Sequence, residues 1–428
     1  MNHAIQSAIE AVWRSEAARI IACVARMVRD VGLAEDLAQE ALVAALEHWP
    51  GTGVPHKPGA WLMATAKNRA LDHLRRHKML AAKHEQIGHE LDAQEALIVP
   101  DFVDALDEAR ADQIGDDLLR LIFTACHPVL SAEARVALTL KMLGGLSTPE
   151  IARAFLVSES TLAQRIVRAK RTLSEAKVPF ELPRGEALGE RLASVLEVVY
   201  LIFNEGYTAT EGADWVRQDL CQEALRLGRV LAGLAPDEPE VHGLLALMEL
   251  QASRLPARVD AQGRAVLLND QDRRLWDPLS IRRGLESLGR VQALGGERGP
   301  YALQAAIAAC HAQAQRPEDT DWRRIAGLYE VLAEVQPSPV VELNRAVAVG
   351  MADGPQAGLA LVDRLLRSDQ TLQAYHWLPS VRGDLLARLG RNDEARQAFE
   401  DAAALARNER ERDLLLKRAR SLSGHGPH

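Results

Sequence analysis

Aromatic residues make up only 4% of the 428 positions, and apolar runs of membrane-spanning length are missing altogether. Ala and Leu dominate instead, and without a stretch of about 20 apolar residues no transmembrane helix is expected. Arg14, Glu16, Arg19, Arg26 and Arg29 interrupt every early apolar stretch, so no secretory leader is expected and the expected location is the cytoplasm. Cysteine is equally scarce. Cys23, Cys126, Cys221 and Cys310 lie far apart with no two at metal-ligand spacing, which excludes a disulfide framework and fits a reducing compartment. An excess of positive charge is also lacking. With a net charge of -8, the molecule as a whole would not be drawn to nucleic acid, so any such contact must come from local patches. Convincing period-two strands are absent, and nearly every segment repeats apolar residues at three and four, so the fold class is all-α.

What is present is a division into blocks. The chain is long enough for roughly two to four domains. A first helical block covers residues 1–80. Between Glu85 and Asp117 there are eleven acidic residues against one basic, Arg110, and residues 81–114 are read as an acidic linker. A second small helical block covers 115–177, and VPFELP from Val178 to Pro183 leads into a helical extension over 178–428 with almost no flexible tether.

Leu146 to Leu173 is the most informative stretch. Ser147 and Glu150 form a capping box with Pro149 in the first turn. Ile151, Ala152 and Phe155 lie on the inner side of that helix, the pattern breaks at Leu156-Val157-Ser158, and Ser158 caps a second helix with Glu159 at its positive end. Leu162, Ile166, Ala169 and Leu173 then face inward, while Thr161, Gln164, Arg165, Arg168 and Arg171, with Lys170 beside them, are residue types that bond base edges and phosphates. The spacing predicts a helix-turn-helix. Leu156 stands where such turns usually carry glycine, so the turn must avoid positive φ or accept its steric cost. The competing reading is an ordinary helical hairpin with a solvated basic face.

In the first block, WLMATAKNRALDHLRRH from Trp61 to His77 sets Leu62, Ala66, Ala70 and Leu74 on one side, with Lys67, Asn68, Arg75, Arg76 and His77 elsewhere. A basic, amide-bearing helix opened by a tryptophan suits a single-stranded backbone and an unstacked base. Gly32 to His48 forms another helix on which Asp36, Gln39, Glu40 and Val43 share a face fit to dock a basic partner helix. In the extension, Gly383, Gly390, Ala395, Phe399 and Ala402 have the small-residue and aromatic spacing of a tetratricopeptide helix pair. Looser pairs are expected around Pro337 to Leu366 and Pro239 to Leu268, with an irregular helical bundle as the alternative.

Several tempting constellations fail on spacing. His84-Glu85 with His89 places two imidazoles five apart, Cys126-His127-Pro128 lacks a second pair of ligands, and the GGERG at Gly295 has no phosphate-loop context. Asn204-Glu205-Gly206-Tyr207 follows an apolar run and is read as a helix end capped by Gly206. No metal, cofactor or catalytic residue is expected, and no enzyme.

The order of DLAQEAL at Asp36–Leu42, WLMATAKNRALDHLRR, an acidic linker and a helix-turn-helix resembles the two-domain bacterial sigma factors of the extracytoplasmic-function, sigma-24-like type. The continuation PFELPRGEALGERLASVLEVVYLIFNEGY with helical repeats resembles the subgroup that carries a long tetratricopeptide-like C-terminal extension. The resemblance implies promoter-specific transcription initiation with core RNA polymerase, contacted through its β′ clamp helices and β flap. It implies that Asp36, Gln39 and Glu40 meet the clamp helices, that Asn68, Arg69, Arg75 and Arg76 lie on the melted minus-ten element, and that Glu159–Arg171 enters the major groove at the minus-thirty-five element. The extension would then regulate the sigma domains, with a regulatory protein on its repeats. Two other readings stay open: a helix-turn-helix regulator with a repeat sensor that does not bind polymerase, and an enzyme whose active site lies in the C-terminal half.

Overall fold

The computed structural model describes residues 2–85, 107–155, 157–207, 218–260, 266–368, 377–406 and 409–422. Among these the chain is all-α, with eighteen α-helices and four short 3-10 turns. Leu156, His89 and the middle of the acidic linker lie outside the described residues. No described helix is long and apolar enough to cross a membrane. The chain forms two compact units that divide between Val198 and Val199.

The first unit opens with α1 (Asn2–Val28), α2 (Val31–Thr52) and α3 (Pro58–Glu85), which pack on one another. Ala17, Ile20, Ile21 and Val24 of α1 meet a core that includes Leu37, Ala38, Ala41 and Ala45 of α2 and Leu62, Ala66 and Ala70 of α3. Alanines at three- and four-residue spacing let the helix axes approach closely, which explains how so few aromatics suffice. Asp30 caps α2 by accepting from the Leu33 amide at 2.9 Å. The buried Trp49 meets Trp61 edge-on, with ring centres 5.5 Å apart.

α4 (Asp107–Ala125) packs on α1 and takes up the end of the acidic stretch. Asp117 is buried there between Arg26 at 3.3 Å and Arg120 at 2.7 Å. Burial pushes its carboxyl up from the ordinary range, against the attraction of both arginines. α5 (Ala132–Met142), α6 (Thr148–Ala154) and α7 (Glu159–Glu175) follow. The first part of α8 (Glu186–Tyr207) is bonded to this unit. Arg191 donates to the Phe123 carbonyl at 2.7 Å, the Ser194 hydroxyl to the Cys126 carbonyl at 2.6 Å, and Arg135 pairs with Glu197 at 2.9 Å. The compact division therefore falls inside α8, whereas the sequence reading opens the extension at residue 178.

The second unit runs through α9 (Gln218–Leu234), α10 (Pro239–Ala252), α11 (Pro278–Ala293), α12 (Pro300–Gln313), α13 (Trp322–Val335), α14 (Pro339–Ala352), α15 (Pro355–Ser368), α16 (Trp377–Arg388), α17 (Asn392–Leu405) and α18 (Glu409–Ser421). Proline opens α10, α11, α12, α14 and α15, where its missing N–H has no partner to lose. α10 is buried nearly all round by α9, α11 and α12, and its Glu249 is paired with Arg229 at 2.7 Å. From α12 onward, successive helices pack as neighbours.

The expected tight pair around Gly383 to Ala402 is the hairpin α16–α17. Gly390 sits at φ 76 in its turn, and a Cβ on Gly383 would meet the Phe399 ring at 2.9 Å. The pair expected at 337–366 is α14–α15, with Asp353 and Gly354 of MADGPQ forming the turn. The pair expected at 239–268 does not form. Among the described residues after α10 no α-helix begins before Pro278, because Pro256 ends helical bonding and the apolar side chains of this stretch give way to arginines. Gly206 lies within α8, where Tyr207 stacks on Phe203 one turn back at 5.6 Å. All four cysteines are free and buried.

Candidate nucleic-acid and partner interfaces

The capping box forms as the spacing predicts. The Ser147 amide donates to Glu150 Oε2 at 2.8 Å, and the Glu150 amide to Ser147 Oγ at 3.4 Å. Glu150 also pairs with Arg14 of α1. Its carboxyl lies below the ordinary range, because the Ser147 hydrogen bonds and Arg14 outweigh a burial that by itself would raise it. At the start of α7 the Ser158 hydroxyl accepts from the Thr161 amide at 3.1 Å and bonds the Thr161 hydroxyl at 2.7 Å. Leu162, Ile166, Ala169 and Leu173 are buried, so the opposite face is presented outward. On it Thr161, Gln164, Arg168 and Arg171 are exposed, and Arg165 is half-buried within electrostatic reach of Glu133. Arg171 is held by Glu175 at 2.6 Å.

Lys170 differs from the other residues expected on DNA. Its amine is turned away from the basic face and lies between Glu35 and Asp36 of α2, with Asp36 Oδ1 at 2.8 Å. Burial alone would depress its pKa; the two carboxylates overcome this and hold it above the ordinary lysine range. Glu35 is only 4% exposed and has Lys141 of α5 at 3.9 Å on its other oxygen, whereas Asp36 is 66% exposed. α2 and α7 thus touch directly through groups expected to serve different partners. A cavity of about 640 Å³ lies beside this contact, lined by Arg26, Arg29, Arg120, Lys170, Lys177 and Phe180 among others.

On α2, Gln39 is half-buried while Asp36 and Glu40 are exposed, with Val43 (50% exposed) on the same face. On α3, Asn68, Arg69, Arg75 and Arg76 are all exposed. Arg69 reaches Glu40 at 3.5 Å and Arg75 reaches Asp72 at 3.6 Å, both at the surface where such pairs exchange readily for a better partner. Glu35 was missed in the sequence. Its signal was a carboxylate on the same face as Ala34, Ala38 and Ala41, which demanded a distant cation.

Three family models match parts of this chain: Sigma-70 region 2 at residues 12–79, Sigma-70 region 4 at 120–173, and a family of unknown function (DUF6596) at 191–292. An uncharacterized protein of Rhizobium meliloti is 48% identical over 385 residues, covering 90% of this chain and 88% of its own. Two proteins of Mycobacterium tuberculosis match the first part. The probable ECF RNA polymerase sigma factor SigI is 28% identical over 173 residues, 40% of this chain and 56% of its own length. The ECF RNA polymerase sigma factor SigL is 27% identical over 168 residues, 39% of this chain and 86% of its own. The region 2 match falls on α1–α3 and the region 4 match on α4–α7, the elements whose geometry is given above. The chain belongs to the extracytoplasmic-function sigma factors, in a form that continues past region 4 into a long helical C-terminal extension.

Proposed function

We propose that this sigma factor directs promoter-specific initiation by core RNA polymerase and is regulated by its fused extension. In this reading Asp36, Gln39 and Glu40 meet the polymerase clamp helices, the exposed amide and guanidinium groups of α3 hold the melted minus-ten strand, and the outward face of α7 enters the major groove at minus-thirty-five. The observation that carries it is α7 itself: a capped helix with a fully buried inner stripe and Gln164 and Arg168 exposed on the other side. Such a helix presents bidentate donors to base edges at the depth a groove requires.

The contact of α7 with α2 supports a further element of this reading. The two promoter elements lie some two and a half helical turns apart, about 85 Å, since one turn spans roughly 34–36 Å. A molecule with Lys170 bonded to Asp36 does not reach both, so initiation requires α7 to leave α2. The region from Val199 onward regulates that step in this proposal, supported by the sequence VPFELP, which leads into the extension with almost no flexible tether. The test is promoter-specific transcription with core polymerase. Full-length protein should be active on its own promoter, and Arg165→Ala with Arg168→Ala should reduce promoter binding by about tenfold to a hundredfold while helicity is kept. Undiminished selectivity in that variant refutes the assignment of α7. A chain stopped after Val198 tests regulation, and activity identical to full length removes it.

A further inference from the structure

Near the two ends of the stretch from Ser253 to Asp277, where the expected second helix fails to form, the half-buried Arg254 and Arg273 meet a buried tryptophan. Trp276 is 4% exposed. The Arg273 guanidinium lies 5.0 Å and that of Arg254 5.5 Å from the centre of its ring. Close by, Arg258 lies over the Tyr207 ring at 3.8 Å. The imidazole of His311 is 8% exposed, and its pKa is lowered to about 4, first by burial and then by the charges of Arg254 and Arg273. It is therefore neutral and supplies no compensating charge, and among the described residues neither Arg254 nor Arg273 has a carboxylate in ion-pair contact. Glu318 and Asp319 act on Arg273 only at range, and both are taken by Arg316, at 3.6 and 2.8 Å.

The hydrogen bonds are equally one-sided. Arg273 spends its terminal nitrogens on the carbonyls of His311 (2.7 Å) and Ala314 (2.6 Å) and on the Thr320 hydroxyl (3.1 Å), which closes the end of α12. Arg254 has a single long bond from Nε to the neutral Gln271 amide oxygen, 3.4 Å. Among the described residues the buried Trp276 Nε1, Tyr207 hydroxyl and Arg273 Nε have no acceptor, and His311 Nδ1 has no partner either. Buried donors left without acceptors and a desolvated cation without an anion are the two arrangements that folded proteins avoid most consistently. Where both meet, the missing element is an acceptor that carries negative charge.

We propose that the extension holds a small oxyanion ligand, a molecule bearing a phosphate or carboxylate group, against Arg254 beside Trp276, Arg273, His311 and Tyr207. The planar guanidinium of Arg254, already set beside an indole ring, offers the paired N–H groups that phosphate and carboxylate accept in a fork. Trp276 Nε1 and the Tyr207 hydroxyl supply further donors. Arg273 sets the field and fixes the wall, with its terminal nitrogens committed to protein. This site stands independently of polymerase or promoter binding, and its test reads ligand binding alone.

Thermal unfolding and titration calorimetry of the full chain would be followed against orthophosphate and, separately, citrate, at ionic strength held constant with sodium chloride. The wild-type binding isotherm should saturate with at least one of the two, and the midpoint should keep rising with the logarithm of that anion's concentration, since a ligand at a hundred times its Kd multiplies the folded-to-unfolded ratio about a hundredfold. Which anion acts separates phosphate from carboxylate recognition. Arg254→Met should lose at least tenfold in affinity and, freed of an unpaired buried cation, should unfold without ligand at or above the wild-type midpoint. Arg254→Lys should fold normally and bind with an affinity between the two. No saturable response to either anion, an equal response in wild type and Arg254→Met, or a ligand-free midpoint well below wild type in Arg254→Met would each overturn the proposal.

Discussion

Replacing Glu35 with Gln isolates the contact between α2 and α7, because Glu35 itself is too buried to meet polymerase or DNA. Removing one member of a buried ion pair typically costs about 3–5 kcal/mol. Here the amide keeps the size and one acceptor, and Asp36 remains 2.8 Å from the Lys170 amine, but it is 66% exposed and contributes at the scale of a surface pair, about 0–1 kcal/mol. A loss of about 2 kcal/mol follows, which is roughly a thirtyfold shift from the docked to the undocked arrangement. Ala64 on α3 and Ala163 on α7 are exposed, and the four native cysteines are buried, so spin labels on Ala64→Cys and Ala163→Cys report the separation without interference. Wild type should give a narrow, short distance. Glu35→Gln should add a broad, longer population and raise the rate at which core polymerase captures the protein. An unchanged distance distribution with helicity intact would refute the reasoning.

Two further outcomes test other parts of the fold. Gly383→Ala should destabilise the second unit by about 1–3 kcal/mol, because the added Cβ meets the Phe399 ring at 2.9 Å in a hairpin with no room to part; chemical denaturation would show it, and a neutral result would mean the α16–α17 contact is looser than described. His311 has a folded pKa of about 4 against an ordinary 6.5, so the unfolded chain takes up its proton first and stability falls as pH drops from about 6.5 to about 4, by up to about 3 kcal/mol. His311→Gln should flatten the acid limb of the stability profile over that window, and an unaltered limb would place the acid sensitivity elsewhere.

Much of this was legible in the sequence because the signals were local. Ser147 with Glu150, Ser158 with Glu159, and the inward series Leu162, Ile166, Ala169 and Leu173 fix two helices and their faces within a few residues of each other, and the structure places them accordingly. Gly390 and Gly383 likewise announce a turn and a close approach. What was not legible depends on groups far apart in the chain. Lys170 reads as one more base on a basic helix until α2, more than a hundred residues earlier, supplies Glu35. Nothing in the sequence marks Arg254 and Arg273 as neighbours; the packing of α10, α11 and α12 half-buries both beside Trp276. The failed helix pair at 239–268 has the same origin. Periodicity counted the apolar residues, but the arginines and Pro256 turned the chain before a second helix began.

The contact between α2 and α7 joins a buried pair, Glu35 and Lys170, to the exposed Asp36, and this makes the balance between docked and undocked arrangements depend on ionic strength in one direction. Salt at about 0.15 M screens exposed charges beyond roughly 8 Å, so the attraction of Arg168, Arg75 and Arg76 for phosphate weakens steeply as salt rises. Glu35 and Lys170 are 4% and 16% exposed and are screened far less. Under the proposed function, rising ionic strength therefore weakens promoter binding faster than it loosens the α2–α7 contact, and the docked arrangement gains.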